Sequence, residues 1–249
     1  MMYSSVVITQ TCIKGENMLN ANQVPQTGGG KYPPQEPKEV GTYPGRLVHI
    51  IGKGLFPQDP FTDPKTGETR ERNPQPMLTV TYELSDEFIL DEDGNEITDK
   101  PIHIHETFPL YNIASERAKS TKRYNALDPK NEHKGNWAAL VGAPAMISLT
   151  ISKKPNAQGV HRNYVGDVST MTSKAADKLP ALVNQGKVFD PSSPDMEVFW
   201  SLPNWLQGDI KSSLTYGGSD LEKLVDMGPP SSDEGKAAED KPEVEESEW

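Results

Sequence analysis

Cysteine is all but absent, with Cys12 alone among 249 residues. That excludes a disulfide framework and any cysteine-based metal site, and a reducing, intracellular setting is the default. No apolar run approaches the roughly 20 residues that span a bilayer, so no membrane partner is expected. The opening "MMYSSVVITQTCIKGEN" has no basic residue ahead of its short apolar patch and does not read as a secretory signal. "KGEN" before Met18 can be written in purine-rich codons resembling a bacterial ribosome-binding site, so Met18 is the expected start and residues 1–17 an upstream artefact.

Catalytic signatures are missing too. "QTGGGK" at 26–31 does not fit the spacing of a phosphate-binding loop, and no strand precedes it. "DEDGNE" resembles a calcium loop but has no twelve-residue pattern, and reads as a hairpin turn. There is no G-x-S-x-G and no nucleophile inside the folded region. "HIHE" places His103 and His105 on one face of a strand and Ile104 and Glu106 on the other, and two histidines are too few for a closed zinc site. No enzyme activity, metal or cofactor is implied.

Apolar residues are scarce at 34%, mean hydropathy is −0.65, and 20 glycines and 22 prolines punctuate the chain. These figures fit one modest core with long polar connections. Residues 1–40 read as a flexible lead-in, 41–222 as a single domain, and 223–249 as an acidic tail too polar to fold. Within the domain, strands are expected in "YPGRLVHII", "MLTVTYELSDEFIL", "IHIHETFPL", "APAMISLTI" and "RNYVGDVSTM". Helix-forming residues at 114–127 fall between the third and fourth strands, and two short helices follow near "MEVFWSLPNWLQGDI". The fold class is therefore mainly β, an OB-fold-like five-stranded barrel with one helix between strands 3 and 4, short C-terminal helices and disordered ends.

Net charge is −11, and the seventeen residues from Asp233 hold eight carboxylates against two lysines. Elsewhere charge is uneven. Arg117, Lys119, Lys122, Arg123, Lys130 and Lys134 outnumber three nearby acids, and Lys153, Lys154 and Arg162 have no acidic neighbour in their hairpin. Cations along a groove suit phosphates, and flat rings suit unpaired bases, so this mixture favours a single strand over a duplex. An OB-fold binds beside its first and fourth inter-strand loops, here "FPQDPFTDPKTGETRERNPQP" and "SKKPNAQGVHR". The candidate phosphate contacts are Lys53, Arg70, Arg72, Lys119, Lys122, Arg123, Lys153, Lys154 and Arg162, with Phe56, Phe61, Tyr124 and Tyr164 for stacking.

The phrases "HETFPLYNIASERAKSTKRYNALDP" and "LPNWLQGDIKSSL" resemble a family of phage-encoded single-stranded DNA-binding proteins, over roughly Gly41 to Ser219. The resemblance implies an OB-fold, sequence-independent coating of single-stranded DNA in phage replication and recombination, and residence in the infected cell's cytoplasm. It also implies an acidic tail ending in an aromatic residue, which "EESEW" matches; Trp249 stands where many such proteins end in phenylalanine. Such a tail is expected to compete with DNA for the cationic groove and, when displaced, to offer Glu245, Glu246, Glu248 and Trp249 to replication or recombination proteins. Oligomeric state stays open, as do two rival functions, a virion structural or assembly protein and a metal-dependent nuclease.

Overall fold

A computed structural model describes residue 33, residues 35–156 and residues 159–229. The expected extension 1–17 lies outside the described residues, as does the acidic end with Glu245, Glu246, Glu248 and Trp249. Three long strands dominate: β1 (Gly41–Thr62), β2 (Thr69–Leu90) and β3 (Glu96–Pro109). The helix α1 (Lys119–Leu127) and a 3-10 turn at Trp137–Leu140 lead to β4 (Pro144–Ile151) and β5 (Asn163–Thr170). After these come α2 (Ser173–Ala176), β6 (Lys187–Phe189), α3 (Met196–Trp200), α4 (Asn204–Lys211) and α5 (Asp220–Asp226).

The strands form one sheet in the order β3-β2-β1-β4-β5, antiparallel throughout, with β6 added parallel to β1. Period-two alternation explains the main core. Leu78, Val80, Tyr82 and Leu84 of β2 point inward and meet Ile104 and Phe108 of β3, Ile147 and Leu149 of β4, and Tyr124 and Leu127 of α1. Each such side chain, fully buried, contributes about 1.5–3 kcal/mol. Bulges in β1 between Leu47 and His49 and between Gly52 and Gly54 bend the sheet around this core. Gly45 sits where β1 pairs with β2 and β4 at once, and a Cβ there would lie 2.6 Å from the Glu83 carbonyl oxygen and 2.7 Å from Ile147.

The mainly β class expected from the sequence is what the fold shows, but the OB-like barrel is not closed: the sheet stays open because β3 and β5 share no ladder of hydrogen bonds. Side chains fill the seam instead. Arg123 of α1 donates to Glu106 of β3 at 2.9 Å, to Asp167 of β5, and to the Gly166 carbonyl at 3.1 Å, taking up a backbone acceptor that a neighbouring strand would use.

A second, smaller core lies on the outer face of β1. There Ile51 packs with Phe189, Phe199, Leu202, Leu206, Ile210, Leu221 and Val225, so β6 and α3–α5 form a cap over the sheet. Gly54 lets the cap approach, with φ at 93° and a would-be Cβ 2.6 Å from the Thr215 hydroxyl. The C-terminal α5 crosses position 222, where composition alone ends the domain, and Ser219 caps it by accepting from the Glu222 N–H. The lead-in is also tied to the body: Gln35 exchanges hydrogen bonds with the Leu90 backbone, and Lys38 with Asn163.

Candidate nucleic-acid interface

The thirteen candidate contacts within the fold divide sharply. Tyr124 is fully buried, its hydroxyl donating to Asp128 at 3.1 Å and its ring edge-on to Trp137. Arg123 is buried in the seam; burial by itself lowers its pKa, but the charge and hydrogen bonds of Glu106 and Asp167 outweigh it and leave the pKa raised. Lys53 is buried and paired with Asp209 of α4 at 2.7 Å, its ammonium 5.0 Å from the half-buried Phe56 ring. Tyr124, Arg123 and Lys53 are corrected to structural roles, because each is buried and paired within the fold. A cation in a mixed polar and apolar helix reads as surface until the tertiary fold supplies its carboxylate. Lys119 is half-exposed but also reaches the seam, 2.6 Å from Glu106, and Lys122 adds its positive field at Asp167.

The other candidates stay exposed. Lys153, Lys154, Arg162 and Tyr164 lie on the β4–β5 hairpin and its exit strand. Phe61, Arg70 and Arg72 lie on the far half of the β1–β2 hairpin. That segment, read from the sequence as a loop, is a two-stranded arm: pairing continues through Gln58↔Arg72 and Phe61↔Arg70 to Thr62↔Thr69. Alternation along the arm puts the Arg70 guanidinium 5.0 Å from the Phe61 ring, while Arg72 donates to the Tyr111 hydroxyl at the arm's base.

Between hairpin and arm runs the outer face of β3, which presents His103, His105 and Thr107 as its alternation dictates. At the hairpin end, a cavity of about 460 Å³ is lined by Lys38, Pro101, Ile102, His103, Val160 and Arg162. Midway, Trp205 of α4 lies over His105, ring centroids 5.2 Å apart and planes inclined by 30°. Trp205 remains 47% exposed, although Leu206 and Ile210 of the same helix are buried. Beyond it, Thr79 and Thr107 share a 2.8 Å hydrogen bond under the cap. Trp205 was invisible as a site residue because "LPNWLQGDI" reads as an amphipathic helix. Burial of Leu206 and Ile210 against Ile51, and the contacts of Trp205 with His105 and of Asp209 with Lys53, together fix which side of α4 meets the sheet.

Electrostatics grade the face. Burial, then the positive field of Arg162, lowers the pKa of His105. Burial, His103 and Lys187 together lower His49 to about 4. Burial pushes the Glu83 carboxyl up, but hydrogen bonds from Val183, Asn184 and His103 outweigh it and hold the pKa below its ordinary value. Asn184 thereby pins the segment entering the cap to β2 and β3. Among the described residues no group of three or more His, Cys, Asp or Glu side chains could hold a metal ion, and no helix is long and apolar enough to cross a membrane. No family model, curated protein or solved structure matches the chain.

Proposed function

We propose that the protein binds single-stranded DNA without base preference, by coating rather than catalysis, along the outer face of β3 from the β4–β5 hairpin to the β1–β2 arm. One observation carries this reading. Exposed cations and exposed rings occur along the run of β3: Arg162 lines a cavity with His103 at its hairpin end, the exposed Trp205 lies over His105 midway, and Arg72 bonds Tyr111 just past its end, on the arm that carries the Phe61–Arg70 pair. Cations neutralise phosphates while rings accept any unpaired base, so the arrangement favours single strands of every sequence. The strand order and the helix between β3 and β4 fit a partly open OB barrel, a fold that binds oligonucleotides on this face between its first and fourth inter-strand loops.

The resemblance of its phrases to phage-encoded single-stranded DNA-binding proteins supports a role in replication and recombination in the cytoplasm of an infected bacterium. The acidic end is assigned to competing with DNA and recruiting partner proteins, on its six net negative charges and terminal Trp249. The test is titration of fluorescent single- and double-stranded oligonucleotides at several salt concentrations. Tight, salt-sensitive binding of the single strand without cleavage is expected; equal affinity for the duplex, or cleavage with magnesium, would refute the assignment.

A further inference from the structure

We propose that Trp205 and His105 together form a stacking platform for one unpaired base, with the Arg162 guanidinium as the neighbouring phosphate contact. This rests on the single-strand reading above and goes beyond it, because the ring comes from the cap rather than from the sheet or its loops. α4 is held against the sheet at two points four residues apart, Trp205 over β3 and Asp209 on Lys53 of β1. Its register is therefore fixed, and the indole is presented at a set height above the strand. Leu206 and Ile210 already supply the apolar contacts that the helix needs. Burying Trp205 would have added stability, yet the ring is left 47% open.

The ring beneath is suited to the same task. His105 is held toward its neutral form by burial and by Arg162, so it backs the indole as a flat ring and leaves the phosphate to the guanidinium. A base resting on Trp205 therefore has a second ring below it, and Arg162 lines the cavity with His103 two residues along the same strand. Nothing in this arrangement reads a base edge, so the site takes purines and pyrimidines alike.

Trp205→Ala should weaken binding of single-stranded oligonucleotides about 5- to 150-fold, the range that loss of one stacked base produces. Because no charge is removed, the dependence of log affinity on log salt should keep its slope, whereas Arg162→Ala should reduce that slope by about 0.7. Trp205→Phe should retain most of the affinity but lose part of the fluorescence quenching that single-stranded DNA causes in the parent protein. Should Trp205→Ala fail to fold by thermal melting, photocross-linking the parent protein to a halogenated-pyrimidine oligonucleotide replaces it, with the adduct expected on the peptide carrying Trp205. Unchanged affinity and quenching in folded Trp205 variants, or adducts only elsewhere, would overturn the platform while leaving single-strand binding intact. Failure of the parent protein to bind any single strand would overturn both.

Discussion

A single side chain, Arg123, shows how far context changes a residue's meaning. In sequence it is one of six cations in a short stretch; in the fold it closes the seam between β3 and β5. Tyr82 donates to the same Glu106 Oε1 at 3.2 Å, while the Lys119 ammonium lies 2.6 Å from Oε2, so the buried carboxylate is held by an ion pair on each oxygen. Removing one partner from such a cluster strands the other's charge. Arg123→Ala should therefore destabilise the protein by about 3–5 kcal/mol, read by chemical denaturation. The hairpin cations should behave in the opposite way. Replacing Lys153, Lys154 and Arg162 together by alanine should leave the melting temperature nearly unchanged, weaken binding to all sequences alike, and flatten the salt slope by about 2.

At the scale of elements, the cap and the arm make different demands. His49 lies where β1 meets β6, opposite Lys187 and edge-on to His103 with centroids 5.8 Å apart. Its folded pKa of about 4 lies below the unfolded value near 6.5, so the fold favours the neutral ring. That stability is present above about pH 6.5 and is lost as pH falls toward 4. Comparing the parent protein with His49→Gln by denaturation at pH 7 and pH 4.5 should show the parent losing on the order of 1–2 kcal/mol more, after allowing for solvent screening at the ring's exposed edge. The arm beyond Phe56 contributes no side chain to either core. Replacing residues 58–71 with a two-residue turn should leave the fold's melting temperature nearly unchanged but lower single-strand affinity, since it removes Phe61 and Arg70.

For the whole molecule, charge must be weighed by where it sits. A net charge of −11 does not suit a polyanion binder, yet eight of the carboxylates lie in the last seventeen residues. Truncation after Ser232 removes six net negative charges and should tighten single-strand binding, most visibly at low salt where screening is weak. Trp249→Ala removes no charge and should leave DNA affinity unchanged while reducing capture of partner replication proteins. Titration in parallel at low and physiological salt checks both. A truncated chain that binds no more tightly than the full chain at low salt would assign the acidic end to solubility instead.

Local signals sufficed for the middle of β1, for much of β2 to β5 and for α1, but not for the arm, α2, β6 or α5. Alternation in "MLTVTYEL" and "IHIHETF" marked β2 and β3 and told inward from outward residues, because a strand's period is a property of its own backbone. The helix between the third and fourth strands was legible from its helix-forming residues, whereas α5 was missed although its S-x-x-E cap at Ser219 and Glu222 was there to read. Composition put the end of the domain at 222, inside α5, because charge counts carry no information on where a helix stops. What sequence could not give was the pairing of elements distant in the chain. That Lys53 meets Asp209 across 156 positions and that Trp205 comes to rest on His105 follow from packing the cap onto the sheet, and that Arg123 turns inward to Glu106 follows from packing α1 across the β3–β5 seam. Such contacts depend on long-range geometry, and no local pattern encodes which cation is buried by a partner and which is left for a ligand.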